Sequence, residues 1–175
     1  MKSAGRFRLG MQRLAGGVCV IALRTDRGDR CGMTVTSVCS LTAEPPVMIV
    51  CVNRGSRLGR AISTADTFAV NVLGFDQRDV AEAFGGMIPA VRGADRFAYG
   101  TWSDDVTGVP LLREALASFV CHRGEVVGRS THLLVFGQVI DVRVPVERRP
   151  PLVHFSRNFT GITGIPVPTN LGRDA

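Results

Sequence analysis

The sequence predicts a mainly β domain: an antiparallel barrel or sandwich carrying two short helices. Three observations predict it. About seven runs of strand length recur along the 175 residues, parted by Gly, Pro, Asp and Ser turns. The runs do not alternate with long helices, which argues against a doubly wound parallel sheet. No internal repeat divides the chain, and its length suits one domain with a substantial core.

The elements follow in order. Residues 8–16 suit a short helix, with Leu9, Gln12 and Arg13 within one or two turns, and Gly16-Gly17 ends it. Residues 18–23 are apolar without a break and read as a buried strand. Residues 25–30 form a hairpin turn, because Asp and Gly tolerate positive φ. Residues 31–37 return as a strand, and 47–52 form the next. Ser56 caps a helix over 57–65, with Leu58, Ala61, Ile62 and Ala65 on its inner side. A strand follows at 68–73. Asp76 caps a second helix over 77–84, and Gly85-Gly86 stops it. Residues 87–107 read as irregular, with Arg96-Phe97 and Trp102 as packing anchors. Residues 110–115 suggest a helical turn. Strands are expected at 117–126, 133–144 and 152–155. The domain is placed at 1–160, and the Gly/Pro-rich residues 161–175 form an extended tail.

Composition narrows the function. Hydrophobic residues make up 45% and charged residues 21%, as in an ordinary globular protein. No apolar run approaches the ~20 residues that cross a bilayer. The first residues lack the apolar core of a secretory signal, so a cytoplasmic protein is expected. Cys19, Cys31, Cys39, Cys51 and Cys121 are odd in number and form no Cys-x-x-Cys pair; Cys19 and Cys51 sit inside apolar runs and read as buried thiols. The three histidines lack ligand spacing, which argues against zinc. Of 21 Lys and Arg residues, 10 fall in the first sixty positions against 3 acids. No basic run interleaves with aromatics, so nucleic acid is not the expected partner. The excess is read as a mixture of plain solvated surface and attraction for a small polyanion such as a nucleotide cofactor, the latter argued only at Arg54 and Arg57.

Two clusters carry candidate chemistry. Thr34, Thr36, Ser37 and Ser40 lie on or just after the strand at 31–37, and Asn53, Arg54, Ser56 and Arg57 follow the strand at 47–52. Hydroxyls, guanidinium groups and a helix N-terminus are what proteins use to hold phosphate. No glycine-rich nucleotide loop accompanies them, so the anion would sit on a β scaffold. No Gly-x-Ser-x-Gly elbow occurs, and no paired carboxylates lie near a histidine. Each residue has a plain role as well: Thr34 and Thr36 as strand formers, Ser56 as a helix cap, His132 as a structural histidine, Arg157 as an ion-pair partner.

An ordered set of short motifs runs along the chain. The pieces are Gly17-Val18-x-Val20, Gly32-Met33-Thr34-Val35-Thr36-Ser37-Val38, and Pro45-Pro46 through Asn53-Arg54. Then come Phe68-Ala69-Val70-Asn71-Val72-Leu73, Ala83-Phe84, Arg96-Phe97, Gly108-x-Pro110-Leu111-Leu112 and Ala115-Leu116-Ala117. Thr131-His132 with Gly137-x-Val139, and Pro151-Leu152 through Phe159, complete the set. In this order, over about residues 8–160, the set resembles the short-chain flavin reductases. The resemblance implies an antiparallel, Greek-key-like split barrel that binds FMN or FAD at a homodimer interface. It implies flavin reduction by NADH or NADPH, with reduced flavin passed to a partner flavin monooxygenase. It sets Thr34, Thr36 and Ser37 at the flavin ring, and Asn53, Arg54, Ser56 and Arg57 at the phosphate end. It sets Phe84 near the cofactor, the catalytic His132 where nicotinamide stacks, and Phe155 and Arg157 on the nucleotide side. The family commonly has an acidic residue where Thr131 stands, and Tyr where His154 and Phe159 stand. Two other readings use the same barrel: a flavin enzyme with a dedicated substrate such as a corrinoid, and a non-enzymatic flavin-binding module. Hydride transfer needs few protein acids or bases, because the flavin carries the electronics.

Overall fold

The computed structural model describes residues 3–147 and 149–162. Its organising strand lies at the apolar run 18–23, where all six residues are buried. Successive strand side chains face opposite ways, so such a run needs cover on both faces. Cys19, Ile21 and Leu23 enter one core with Val50, Val52, Leu58, Ile62, Phe68 and Val135. Val18 and Val20 enter a second with Leu73, Val80, Phe84, Leu112 and Leu152.

The elements are α1 (Ser3–Met11), β1 (Gly16–Gly17), β2 (Cys19–Arg24), β3 (Arg30–Val35), β4 (Val38–Ala43), β5 (Pro46–Asn53), α2 (Arg57–Ala61), β6 (Thr67–Val72), α3 (Arg78–Phe84), β7 (Trp102–Asp104), β8 (Pro110–Leu112), β9 (Ala117–Arg129), β10 (His132–Arg143), β11 (Leu152–Phe155) and β12 (Asn158–Gly161). Short 3-10 turns occupy Phe75–Gln77 and Gly93–Ala98. One sheet runs β3-β2-β6-β9-β10-β5-β4, a second β1-β11-β12, and a third β7-β8. All these strand pairs are antiparallel. The seven-stranded sheet is not closed: β3 and β4 remain its edges. This is a split barrel with small helices packed at its rim. No helix among the described residues is long and apolar enough to cross a membrane.

Several elements differ from the sequence-based expectation, each for a physical reason. Residues 110–115 are not a helical turn: Pro110–Leu112 is β8, paired with β7. Asn71, fully buried in β6, accounts for it. Its Oδ1 accepts from the Leu112 amide at 3.0 Å and the Ser118 hydroxyl at 2.8 Å, and its Nδ2 donates to the Val20 carbonyl at 3.3 Å. A buried amide must be matched, and matching this one holds Leu112 against the sheet. Asp76 is not the helix cap either. Gln77 Oε1 accepts from the Gly74 amide at 2.9 Å, while the Asp76 carboxylate takes Arg149 at 2.5 Å. Ser56 does cap α2, its Oγ accepting from the Gly59 amide at 2.9 Å, but α2 ends at Ala61. The first helix lies at Ser3–Met11, earlier than its spacing suggests, and buries no residue. Strand β4 was not foreseen. It is a largely exposed edge in which Cys39, Ser40 and Thr42 interrupt the apolar residues, so it lacks the apolar run that marks a buried strand. Gly161 closes β12, and residues 163–175 of the expected tail lie outside the described residues.

Asp104 on β7 ties the third sheet to the β2–β3 hairpin through Arg24 at 2.5 Å and Arg30 at 3.1 Å. Burial opposes ionisation of its carboxyl, but the hydrogen bonds from Arg30 and Arg24 outweigh that and hold its pKa below the usual 3.8. A carboxylate with a lowered folded pKa stabilises the fold above its unfolded value, and that share is lost as pH falls through the folded one. Acid unfolding followed by circular dichroism should therefore show a step below about pH 4. Asp104→Asn should remove that step and start from a lower plateau at neutral pH.

Candidate functional site

Strand β5 ends at Asn53, and the chain turns at once into α2. Asn53 Oδ1 accepts from the Gly55 amide at 2.8 Å, and the Asn53 carbonyl accepts from the Ser56 hydroxyl at 2.7 Å. These polar groups therefore build the turn. The Ser56 hydroxyl spends both its proton and a lone pair on backbone, and α2 is only 5 residues long. Attraction for an anion thus falls to side-chain cations.

Arg57 supplies one. Its guanidinium bonds Asp29 on the β2–β3 turn at 3.2 Å and borders a cavity of 310 Å³. Met33 and Cys31 of β3, Phe84 of α3, and Arg96 form other walls. Arg96 Nη1 donates to the Phe84 carbonyl at 3.1 Å. Its Nε is buried and has no acceptor among the described residues. Burial raises the Cys31 thiol pKa and Asp29 adds to the rise, while Arg57 most, then Arg96 and Arg60, oppose it without reversing it. Arg57 and Arg96, with no acid beside them in the lining, make the wall cationic. Phe84 is fully buried, its ring 4.9 Å from Phe97 and 5.2 Å from Trp102. Thr34 binds α3 to β3, its hydroxyl donating to the Ala81 carbonyl at 2.8 Å.

A larger cleft of 1020 Å³ opens between α1 and the barrel. Thr36 and Ser37, at the crossing from β3 to β4, line it with Arg8, Gln12, His154 and Arg157. Arg157 gets there by a tight turn between β11 and β12. Ser156 and Arg157 have φ of 50° and 66°, the positive pair that a two-residue hairpin of right-handed twist demands. The Ser156 amide donates to the Gln12 carbonyl at 3.1 Å, which ties the hairpin to the end of α1. Phe155 stands beside it, 40% exposed.

His132 begins β10, directly opposite Asn53. Its Nδ1 lies 2.9 Å from the Thr131 hydroxyl. The Arg54 amide donates to the Thr131 carbonyl at 3.0 Å, and its guanidinium reaches the Ser130 carbonyl at 3.4 Å. Nine of the eleven expected site residues form three groups; Thr34 lines neither hollow, its hydroxyl being spent on the Ala81 carbonyl, and Phe155 neighbours the cleft without lining it. Ser56, Arg57 and Phe84 line the cavity; Thr36, Ser37 and Arg157 line the cleft; Asn53, Arg54 and His132 share one end of the sheet. Arg96 joins the first group, although the sequence marks it only as a packing anchor. The glycines at 85, 86 and 93 around it are the one local hint of a backbone kept thin. Among the described residues, no cluster of three or more His, Cys, Asp or Glu is placed to hold a metal.

An open antiparallel barrel of this kind, with a cationic cavity and a cleft beside β3, belongs to the split-barrel class of folds. Within it, the chain belongs to the flavin reductase like domain family, whose sequence profile matches residues 11–163. A relative from Stutzerimonas stutzeri A1501, the FMN reductase (NADH) RutF, is 38% identical over 157 residues, covering 90% of this chain and 87% of that protein. The 4-hydroxyphenylacetate 3-monooxygenase reductase component of Pseudomonas aeruginosa PAO1 is 37% identical, covering 87% and 88%. Among solved structures, BorF, the flavin reductase component of a bacterial two-component tryptophan halogenase, superposes with a TM-score of 0.82 at 27% identity, covering 91% of this chain and 98% of that one. The styrene monooxygenase flavin reductase of Pseudomonas putida S12 gives 0.79 at 27% identity, covering 92% and 99%.

Proposed function

We propose that the protein is an NADH-dependent flavin reductase that supplies reduced flavin to a partner monooxygenase. One observation carries the reading beyond family membership. The cationic cavity and the cleft lie along the same strand: Met33 lines the cavity, and Thr36, just past the end of β3, lines the cleft. Three residues of extended chain span about 10 Å. That is the reach of a five-carbon polyol with a phosphate at its end. A flavin with its phosphate beside Arg57 would bring its ring to Thr36 and Ser37.

Bound flavin supplies the redox chemistry by taking a hydride from reduced nicotinamide. The chain's task is to bind, orient and exclude water. Thr36 and Ser37 offer hydroxyl donors to the polar edge of the ring. Arg57 neutralises the phosphate. Phe155 and Arg157 cover the nucleotide side, and His132 with Asn53 forms the wall against which nicotinamide stacks. Helix α1 buries nothing of its own and exposes Phe7, Leu9 and Met11. A second copy laid over the cleft would cover them, which supports a homodimer. The cytoplasm suits this chemistry, and all five cysteines are free thiols.

Mixing the purified protein with FMN or FAD and NADH should consume the nicotinamide absorbance in a flavin-dependent way. No oxidation with either flavin would overturn the proposal. His132→Ala should raise the KM for NADH about tenfold, equivalent to about 1.4 kcal/mol, while the flavin Kd stays the same. Equal loss of both would remove His132 from the nicotinamide wall.

A further inference from the structure

We infer that Arg96 reads the terminal phosphate of the flavin, so that the protein discriminates flavin mononucleotide from riboflavin through the cavity between α2 and the Gly93–Ala98 turn. This rests on the flavin reductase reading and adds a specificity residue to it.

The case begins with an unmatched donor. Arg96 turns inward from its 3-10 turn and becomes half-buried. Its Nη1 is held by the Phe84 carbonyl at 3.1 Å, so the guanidinium plane has little freedom. The other edge of the fork, Nε with Nη2, remains. Nε is shut off from solvent and has no acceptor among the described residues. A buried charged donor left unsatisfied is costly, and an anionic oxygen is its natural complement. The Nε–Nη2 edge presents two parallel N–H groups, the geometry that takes two oxygens of one phosphate.

The surroundings agree. Arg57 borders the same cavity, and no carboxylate lines it. Asp29, which pairs with Arg57 at 3.2 Å, is itself exposed and does not line the cavity. Two turns pass close to the two guanidinium groups, and each does so at a glycine with positive φ. A Cβ on Gly93, where φ is 56°, would stand 2.9 Å from Arg57 Nη1. A Cβ on Gly86, where φ is 74°, would stand 3.5 Å from Arg96 Nη2. At 310 Å³ the cavity is at the low end for small-molecule sites. It has room for a phosphate and the end of a polyol, while a flavin ring belongs in the cleft.

The test is a fluorescence titration of FMN and of riboflavin against wild type, Arg96→Gln and Arg96→Lys. Arg96→Gln should weaken FMN binding about tenfold or more and leave riboflavin within about twofold. Arg96→Lys keeps the charge without the fork and should recover part of the loss. In the wild type, inorganic phosphate should compete with FMN and spare riboflavin, a result that needs no variant to fold. Equal weakening of both flavins in Arg96→Gln, or unchanged FMN binding, would overturn the inference. So would phosphate failing to displace FMN. Wild-type protein that binds neither flavin would instead overturn the flavin reductase reading itself.

Discussion

Phe84→Ala should destabilise the domain by about 3–5 kcal/mol, a large fraction of the stability of a protein this size. The ring is fully buried in the second core, against Val80, Leu73 and Leu152. It makes edge contacts with Phe97 and tilted contacts with Trp102, at 4.9 and 5.2 Å between centroids. Removing it deletes apolar surface and leaves a void that backbone cannot fill, because α3 is tied to β3 through Thr34 and Ala81. The same ring walls the cationic cavity. Chemical denaturation should therefore show a lower midpoint at nearly constant slope, and FMN should bind more weakly. Phe84→Leu keeps most of the volume and should lose much less. A loss below about 1 kcal/mol for the alanine variant would contradict this packing.

Gly59→Ala should also be destabilising, although alanine is the better helix former by about 1 kcal/mol. A Cβ at position 59 would stand 2.1 Å from the Asn53 carbonyl oxygen and 2.9 Å from the Arg54 Cα. Both are backbone atoms, so no side-chain rotation relieves the clash. Either α2 lifts from the sheet or the turn at the end of β5 shifts. Such overpacking costs about 1–3 kcal/mol and exceeds the propensity gain. Arg57, the first residue of α2, would move with the helix, so flavin affinity should fall along with stability. Gly10→Ala is the internal comparison. It lies in α1 with nothing within 4 Å of the added methyl, and should be neutral or slightly stabilising. Wild-type stability for Gly59→Ala would mean that α2 does not sit this close to β5.

The parts legible in the sequence share a cause. β2 and β6 announce themselves because burial on both faces favours unbroken apolar runs: all but the last residue of β2 is buried, and in β6 Phe68, Ala69 and Val70 are, with the matched Asn71 as the one polar exception. The Ser56 cap is legible because the group it satisfies is three residues away. Thr36 and Ser37 fall together in the cleft because neighbours on one chain segment stay neighbours. Strand β4 was illegible because a largely exposed edge needs no apolar run. Asp76 looked like a cap because its chemistry permits it, yet Arg149, 73 positions away, claims its carboxylate.

By itself the sequence determined the barrel class, its main strands and the family, because these depend on local apolar periodicity and on motifs in a given order. Tertiary structure alone decided the rest. Leu112 is extended because Asn71, 41 positions earlier, is buried and must be matched. Arg96 faces a cavity because Phe84 offers a carbonyl and two glycines leave space, while Arg57 arrives from the opposite wall. A buried polar group takes its role from the atoms that surround it, and packing brings those atoms from all along the chain.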